Sequence, residues 1–159
     1  MKKSKWKTYA FWIFLSEAVG GLSGWLTRDG AEIYKRDVVK PPLSPPAIVF
    51  PIVWTALFAL MGVGAARVFM APPSLERTRG LRLFLVQLAF NFLWSILFFN
   101  LQSFGAAFLW LTALWILILW MTLTYCKVDR PAAWLQVPYL LWVAFAGYLN
   151  LGVWMLNTR

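Results

Sequence analysis

The sequence predicts an all-α membrane protein: one domain over residues 1–159, built as a bundle of five transmembrane helices. Three observations carry that reading. The chain is 61% hydrophobic and only 13% charged, whereas soluble domains lie near half apolar and a quarter charged. Five apolar stretches have the ~20 residues a helix needs to cross a ~30 Å hydrocarbon core, twice the ~10 of a barrel strand. Basic residues gather between those stretches, where they orient spans and leave no basic face for nucleic acid.

The first span is placed at residues 8–27. Its leader, MKKSKWK, looks like the start of a signal peptide, but Glu17 in mid-run and the lack of an A-x-A site predict a retained helix. A carboxyl at mid-membrane is a functional candidate; the alternative is a protonated side chain bonded to a nearby carbonyl. Gly20, Gly21, Gly24 and Arg28 are expected on the Glu17 side, with Gly20-x-x-x-Gly24 a weak close-packing motif.

The second span, 47–70, is introduced by KPPLSPPAIVFPIVW. Pro45 and Pro46 fit a first helical turn, where a missing N–H has no partner to lose. Pro41 and Pro42 stiffen the loop before it. Pro51 is expected to kink the helix about a turn in and to swing Trp54, which shares a face with Phe58 and Met61. A lid of Pro41, Pro45 and Pro46 over an aromatic wall suits a flat apolar ligand. Prolines also simply mark helix starts.

In the third span, 81–100, Gln87, Asn91 and Ser95 recur every four residues and Trp94 joins their face. Uncharged amides in a membrane need partners, so this face either bonds to another helix or lines a ligand pocket. The fourth span, 105–126, ends on the only cysteine, Cys126. The fifth, 132–157, repeats the stripe with Tyr139, Trp142, Ala146 and Asn150, and Ala146 leaves room between larger groups.

Ten Lys and Arg flank one side: Lys2, Lys3, Lys5, Lys7, Arg67, Arg77, Arg79, Arg82, Lys127 and Arg130. Five flank the other: Arg28, Lys35, Arg36, Lys40 and Arg159. The positive-inside rule therefore predicts a cytoplasmic N-terminus and an outer first loop. With no histidine and one cysteine, disulfides, a CxxC pair, a zinc site and covalent haem are excluded, and no metal site is expected. A tetrapyrrole would bind as a metal-free ring held by its faces and edges.

The run KPPLSPPAIVFPIVWTALFALMG resembles the K-P-x-x-x-P-P…P-x-x-W-x-x-L-x-x-x-M-G signature of the translocator protein family, also called tryptophan-rich sensory proteins or peripheral-type benzodiazepine receptors. QLAFNFLWSILFF and PYLLWVAFAGYLNLGVW resemble the third and fifth helices of that family, so the likeness runs from Tyr34 to Asn157. It implies a tight five-helix bundle in the cell membrane, often a homodimer. Its pocket would open toward the first loop and take porphyrins, sterols or benzodiazepine-like ligands. Protoporphyrin IX is the expected ligand, and no cofactor is required. Trp54, Asn91, Trp142, Ala146 and Asn150 match the family's pocket positions; the stripes above add Phe58, Gln87, Trp94 and Tyr139. Trp54 also matches the tryptophan tied to porphyrin breakdown in some members, which makes it the candidate catalytic residue.

Two departures stand out. The first loop carries one extra residue between Tyr34 and Lys40, and Leu43 stands where tryptophan is common. Leu151 and Met155 break the sterol-recognition pattern of the animal members, so weak sterol binding is expected. The reading is thus a membrane receptor or translocator for a flat hydrophobic ligand. The alternatives are light- and oxygen-dependent porphyrin degradation, or a proton-coupled exporter built on Glu17.

Overall fold

A computed structural model describes residues 5–158; Lys2, Lys3 and Arg159, which entered the charge count, lie outside the described residues. The described residues form six α-helical segments: α1 (Lys5–Leu26), α2 (Arg28–Asp37), α3 (Val49–Phe69), α4 (Leu75–Ser95), α5 (Phe104–Cys126) and α6 (Arg130–Asn157). A π-helical turn, Ile96–Asn100, extends α4.

The five long helices close a ring in the order α1–α3–α6–α5–α4. Outside the ring, large apolar side chains stand exposed, Trp134 at 72% and Leu141 at 65% among them. Inside it pack Met61, Phe84, Leu114, Ile118, Tyr125 and Tyr139, all with almost no exposure. An apolar exterior of this extent matches hydrocarbon, not water.

Among the described residues four helices are long and apolar enough to cross a membrane: α3, α4 with its π turn, α5 and α6. The fifth expected span, α1, is not among them. Ser16, Glu17, Gly20, Gly21, Ser23 and Gly24 dilute its hydropathy, although at 22 residues it has the length. It packs closely on α3 all the same. A Cβ added at Gly62 would lie 2.4 Å from the Ile13 Cα, and one at Gly20 would lie 2.4 Å from the Phe58 ring. Bare backbone is what permits this approach. Among the described residues nothing lies within 4 Å of a Cβ added at Gly21 or Gly24, so within the bundle only Gly20 of the Gly20-x-x-x-Gly24 pair packs against α3.

Three of the helix starts that differ from expectation have a local cause. Helix α4 starts at Leu75 rather than residue 81, because the Ser74 hydroxyl caps it by accepting from the Arg77 N–H at 3.0 Å. Helix α6 starts two residues before residue 132, capped by Asp129, whose carboxylate accepts from the Ala132 N–H and pairs with Arg67 of α3 at 2.7 Å. Helix α3 starts at Val49, so Pro45 and Pro46 precede the helix instead of opening it. Pro51 then falls in the first turn, where its missing N–H costs no intrahelical bond, and the expected kink has no cause.

Candidate functional site

The first loop closes over one end of the ring. Its opening half is α2, a helix whose charges complement its dipole, with Asp29 in the first turn and Lys35 and Arg36 in the last. The Lys40 ammonium donates to the Lys35 and Val38 carbonyls and so covers the C-terminal end of α2. Tyr34 wedges against Phe98 and Phe99 of the π turn, with ring centroids 5.4 and 5.5 Å away. Burial pushes its hydroxyl above the usual tyrosine range.

The proline segment then crosses to α6 and is fastened at three points. The Asn157 side chain accepts from the Val39 N–H at 3.0 Å and donates to the Val39 carbonyl at 2.8 Å. The Tyr148 hydroxyl donates to the Pro42 carbonyl at 2.7 Å. Pro41 is buried against Gly152, where an added Cβ would fall 2.6 Å from the proline ring. Pro45 is half-buried and Pro46 exposed, so of the three lid prolines Pro41 is the anchored one.

Behind this loop the candidate residues form three groups. In the first, Trp54 lies beside Phe58 at 5.6 Å and meets Tyr139 edge-on at 6.2 Å. The Tyr139 hydroxyl donates to the Gln87 carbonyl oxygen at 2.6 Å and accepts from the Asn91 amide at 2.8 Å. These bonds join α4 to α6, which face each other across the ring.

In the second group the Trp94 indole donates to the Asn150 side-chain oxygen at 3.0 Å, and the Asn150 amide donates to the Phe104 carbonyl at 2.9 Å. The third group holds Trp142, packed between Phe50 at 6.0 Å and Phe145 at 5.5 Å. Its indole N–H is buried and has no hydrogen-bond partner among the described residues. Ala146, one turn on, is buried. Glu17 is half-buried on α1 and makes no hydrogen bond or ion pair among the described residues.

The site holds residues that sequence reasoning missed. Phe50 packs on Trp142, and Tyr148, Gly152 and Asn157 build the loop's seat; the signal for these three was their position on the same helix as the Trp142 stripe. Trp110 and Trp115 of α5 donate their indole N–H groups to the Phe90 and Leu140 carbonyls, tying α5 to α4 and α6. The two cavities of note lie elsewhere. An open groove of about 650 Å³ runs between α2 and the end of α6, past Asp37, Phe104 and Trp154, and the second lies on the outer wall of α4.

The TspO/MBR family profile matches residues 12–155. The chain is 41% identical over 151 residues to the tryptophan-rich protein TspO of Chlorobaculum tepidum, covering 94% of this chain and 96% of that one. It is 35% identical to the protein CrtK of Rhodobacter capsulatus, over 91% of this chain and 89% of the relative. It is 33% identical to the translocator protein of Bos taurus, over 90% and 86%. With four helices fit to span a membrane and a match over nearly its whole length, the chain belongs to the TspO/MBR family of membrane proteins.

Proposed function

We propose that the protein is a membrane receptor that takes a metal-free tetrapyrrole, or a ring of like shape, beneath the proline loop. The observation that carries this is the Trp142 indole N–H, buried without a partner inside an aromatic group at the base of that loop. A buried unpaired donor costs ~1–3 kcal/mol, so a ligand acceptor placed there would recover that cost. Trp54 and Phe50, both half-buried, supply faces for a flat ring, each offset contact adding ~0.5–1.5 kcal/mol beyond burial.

In this reading α1 is the fifth span, held to the bundle by its close glycine contacts with α3 despite its weaker hydropathy. The N-terminus faces the cytoplasm of the cell membrane, the proline loop faces out, and the chain pairs as a homodimer, as the family resemblance implies. The test is a protoporphyrin IX titration followed by quenching of tryptophan emission. Trp142→Phe keeps the ring but deletes the N–H, and is expected to weaken binding about fivefold or more. Equal affinity in both proteins would remove the basis of the proposal.

A second reading, light-driven loss of the bound porphyrin in air, is favoured by Trp54, an oxidisable indole half-buried beside Tyr139. Trp54→Phe retains a ring, so it is expected to keep most affinity and to lose the bleaching. Bleaching at the wild-type rate in that variant would exclude a role for Trp54.

A further inference from the structure

We propose a second binding site, apart from the tetrapyrrole pocket, that holds one anionic phospholipid on the outer wall where α4 meets α5. A cavity of about 380 Å³ there is lined by Leu75, Thr78, Arg79, Arg82, Leu83 and Val86 of α4 and by Trp120 of α5. The α4 residues are spaced by one, three or four positions and make one stripe along the helix.

Thr78, Arg79 and Arg82 lie between Leu75, at the start of α4, and Leu83 and Val86 further along it. Arg82 lies seven residues from the start of α4 and Trp120 six from the end of α5. At 1.5 Å per residue both sit roughly 10 Å from the same end of the bundle. From that depth a long arginine side chain extends toward the headgroups while Trp120 stays against hydrocarbon.

The arginines differ in availability. Neighbouring Arg77 is committed, donating to the Phe69 carbonyl at 3.0 and 2.7 Å. Arg79 has a loose partner in Glu76 at 3.7 Å. Arg82 is exposed and has no ion pair among the described residues. The Thr78 hydroxyl donates to the Ser74 carbonyl at 3.3 Å, so the site presents uncompensated positive charge beside an apolar wall on which Trp120 and Val86 are exposed. A phosphodiester with net negative charge meets the arginines, and an acyl chain covers the wall. Free phosphate would use the arginines alone and leave the apolar half uncovered, so the lipid is the occupant that fits. Basic hollows between spans at a membrane face hold anionic headgroups by this same pairing.

The inference rests on the chain being a membrane protein, but not on the tetrapyrrole reading or on which leaflet the site faces. The test is native mass spectrometry of the purified full chain with phosphatidylglycerol and phosphatidylcholine supplied equally. Phosphatidylglycerol is expected to be retained in preference. Arg82→Gln should weaken it about fivefold, Arg79→Gln less because Glu76 already competes, and Arg82→Lys should retain most of the affinity. The control, Lys127→Gln with Arg130→Gln, should change little, inorganic phosphate should not displace the lipid, and porphyrin binding should be unaltered throughout. Equal retention of the two lipids, an equal loss in the control, or displacement by phosphate would each overturn the site.

Discussion

Replacing Tyr139 with phenylalanine deletes one oxygen from the middle of the bundle. That oxygen accepts from Asn91 at 2.8 Å and donates to Gln87 at 2.6 Å. The ring remains, so the edge contact with Trp54 and the apolar packing survive. Two hydrogen bonds between α4 and α6 are lost, while Gln87, with no exposure, and Asn91, at 4%, stay where water cannot serve them. Bonds of this kind in membrane proteins contribute ~0.6–2 kcal/mol each. The expected loss is therefore about 2 kcal/mol, and at ~2–4 °C per kcal/mol for a chain of this size the midpoint should fall by about 4–8 °C. The assay is thermal loss of helical circular dichroism in lipid nanodiscs. Adding Gln87→Leu to Tyr139→Phe should cost less than the two changes summed, because both touch the same bond. A midpoint within ~1 °C of wild type would refute the claim that this network joins α4 to α6. A fall in porphyrin affinity with no change in midpoint would instead assign these amides to the ligand.

Three further outcomes are expected. Gly152→Ala sets a Cβ 2.6 Å from the Pro41 ring, which is pinned on both sides. Overpacking of this kind costs ~1–3 kcal/mol, and amide exchange at Val39 should rise on the order of tenfold; unchanged protection would mean the loop is not seated there. Leu43 is 81% exposed and holds φ at 70°, a left-handed conformation costing ~1–2 kcal/mol for an L-residue with a side chain. Melting points should therefore rank Leu43→Gly above wild type and wild type above Leu43→Val, and the reverse order would deny the strain. In cells carrying Cys126→Ser, an impermeant thiol reagent should label Lys35→Cys and spare Arg79→Cys; the opposite pattern would invert the topology.

Long apolar runs made α3, α4, α5 and α6 legible, because a hydrocarbon solvent leaves little choice but helix for such runs. The stripes on α4 and α6 were legible for the same reason: period and polarity placed Gln87, Asn91, Tyr139 and Asn150 on faces that do meet. Helix α2 was read as loop because RDGAEIYKRD is polar and contains Gly30. Its helix depends on Tyr34 packing on the π turn and on Gly30 lying against the Phe99 carbonyl, contacts far apart in sequence. Its acidic start and basic end were the available signal. Pro51 lies in the first turn because α3 starts at Val49, two residues later than the apolar run alone predicts; that start depends on how the loop arrives. Nothing local marks the π turn, nor the seat that Tyr148, Gly152 and Asn157 offer to residues more than 100 positions earlier.

The central claim is that a tetrapyrrole ring lies under the proline loop beside Trp54 and Trp142. Its most direct test uses the eleven tryptophans as reporters. Protein carrying less than one equivalent of protoporphyrin IX is illuminated in air, and peptide mass spectrometry ranks the indoles by extent of oxidation. Oxidant made at a bound ring reaches its neighbours first, so Trp54 and Trp142 should be modified before the exposed Trp6, Trp25 and Trp134. Oxidation that follows exposure, with those three outer indoles leading and Trp54 and Trp142 spared, would contradict the account.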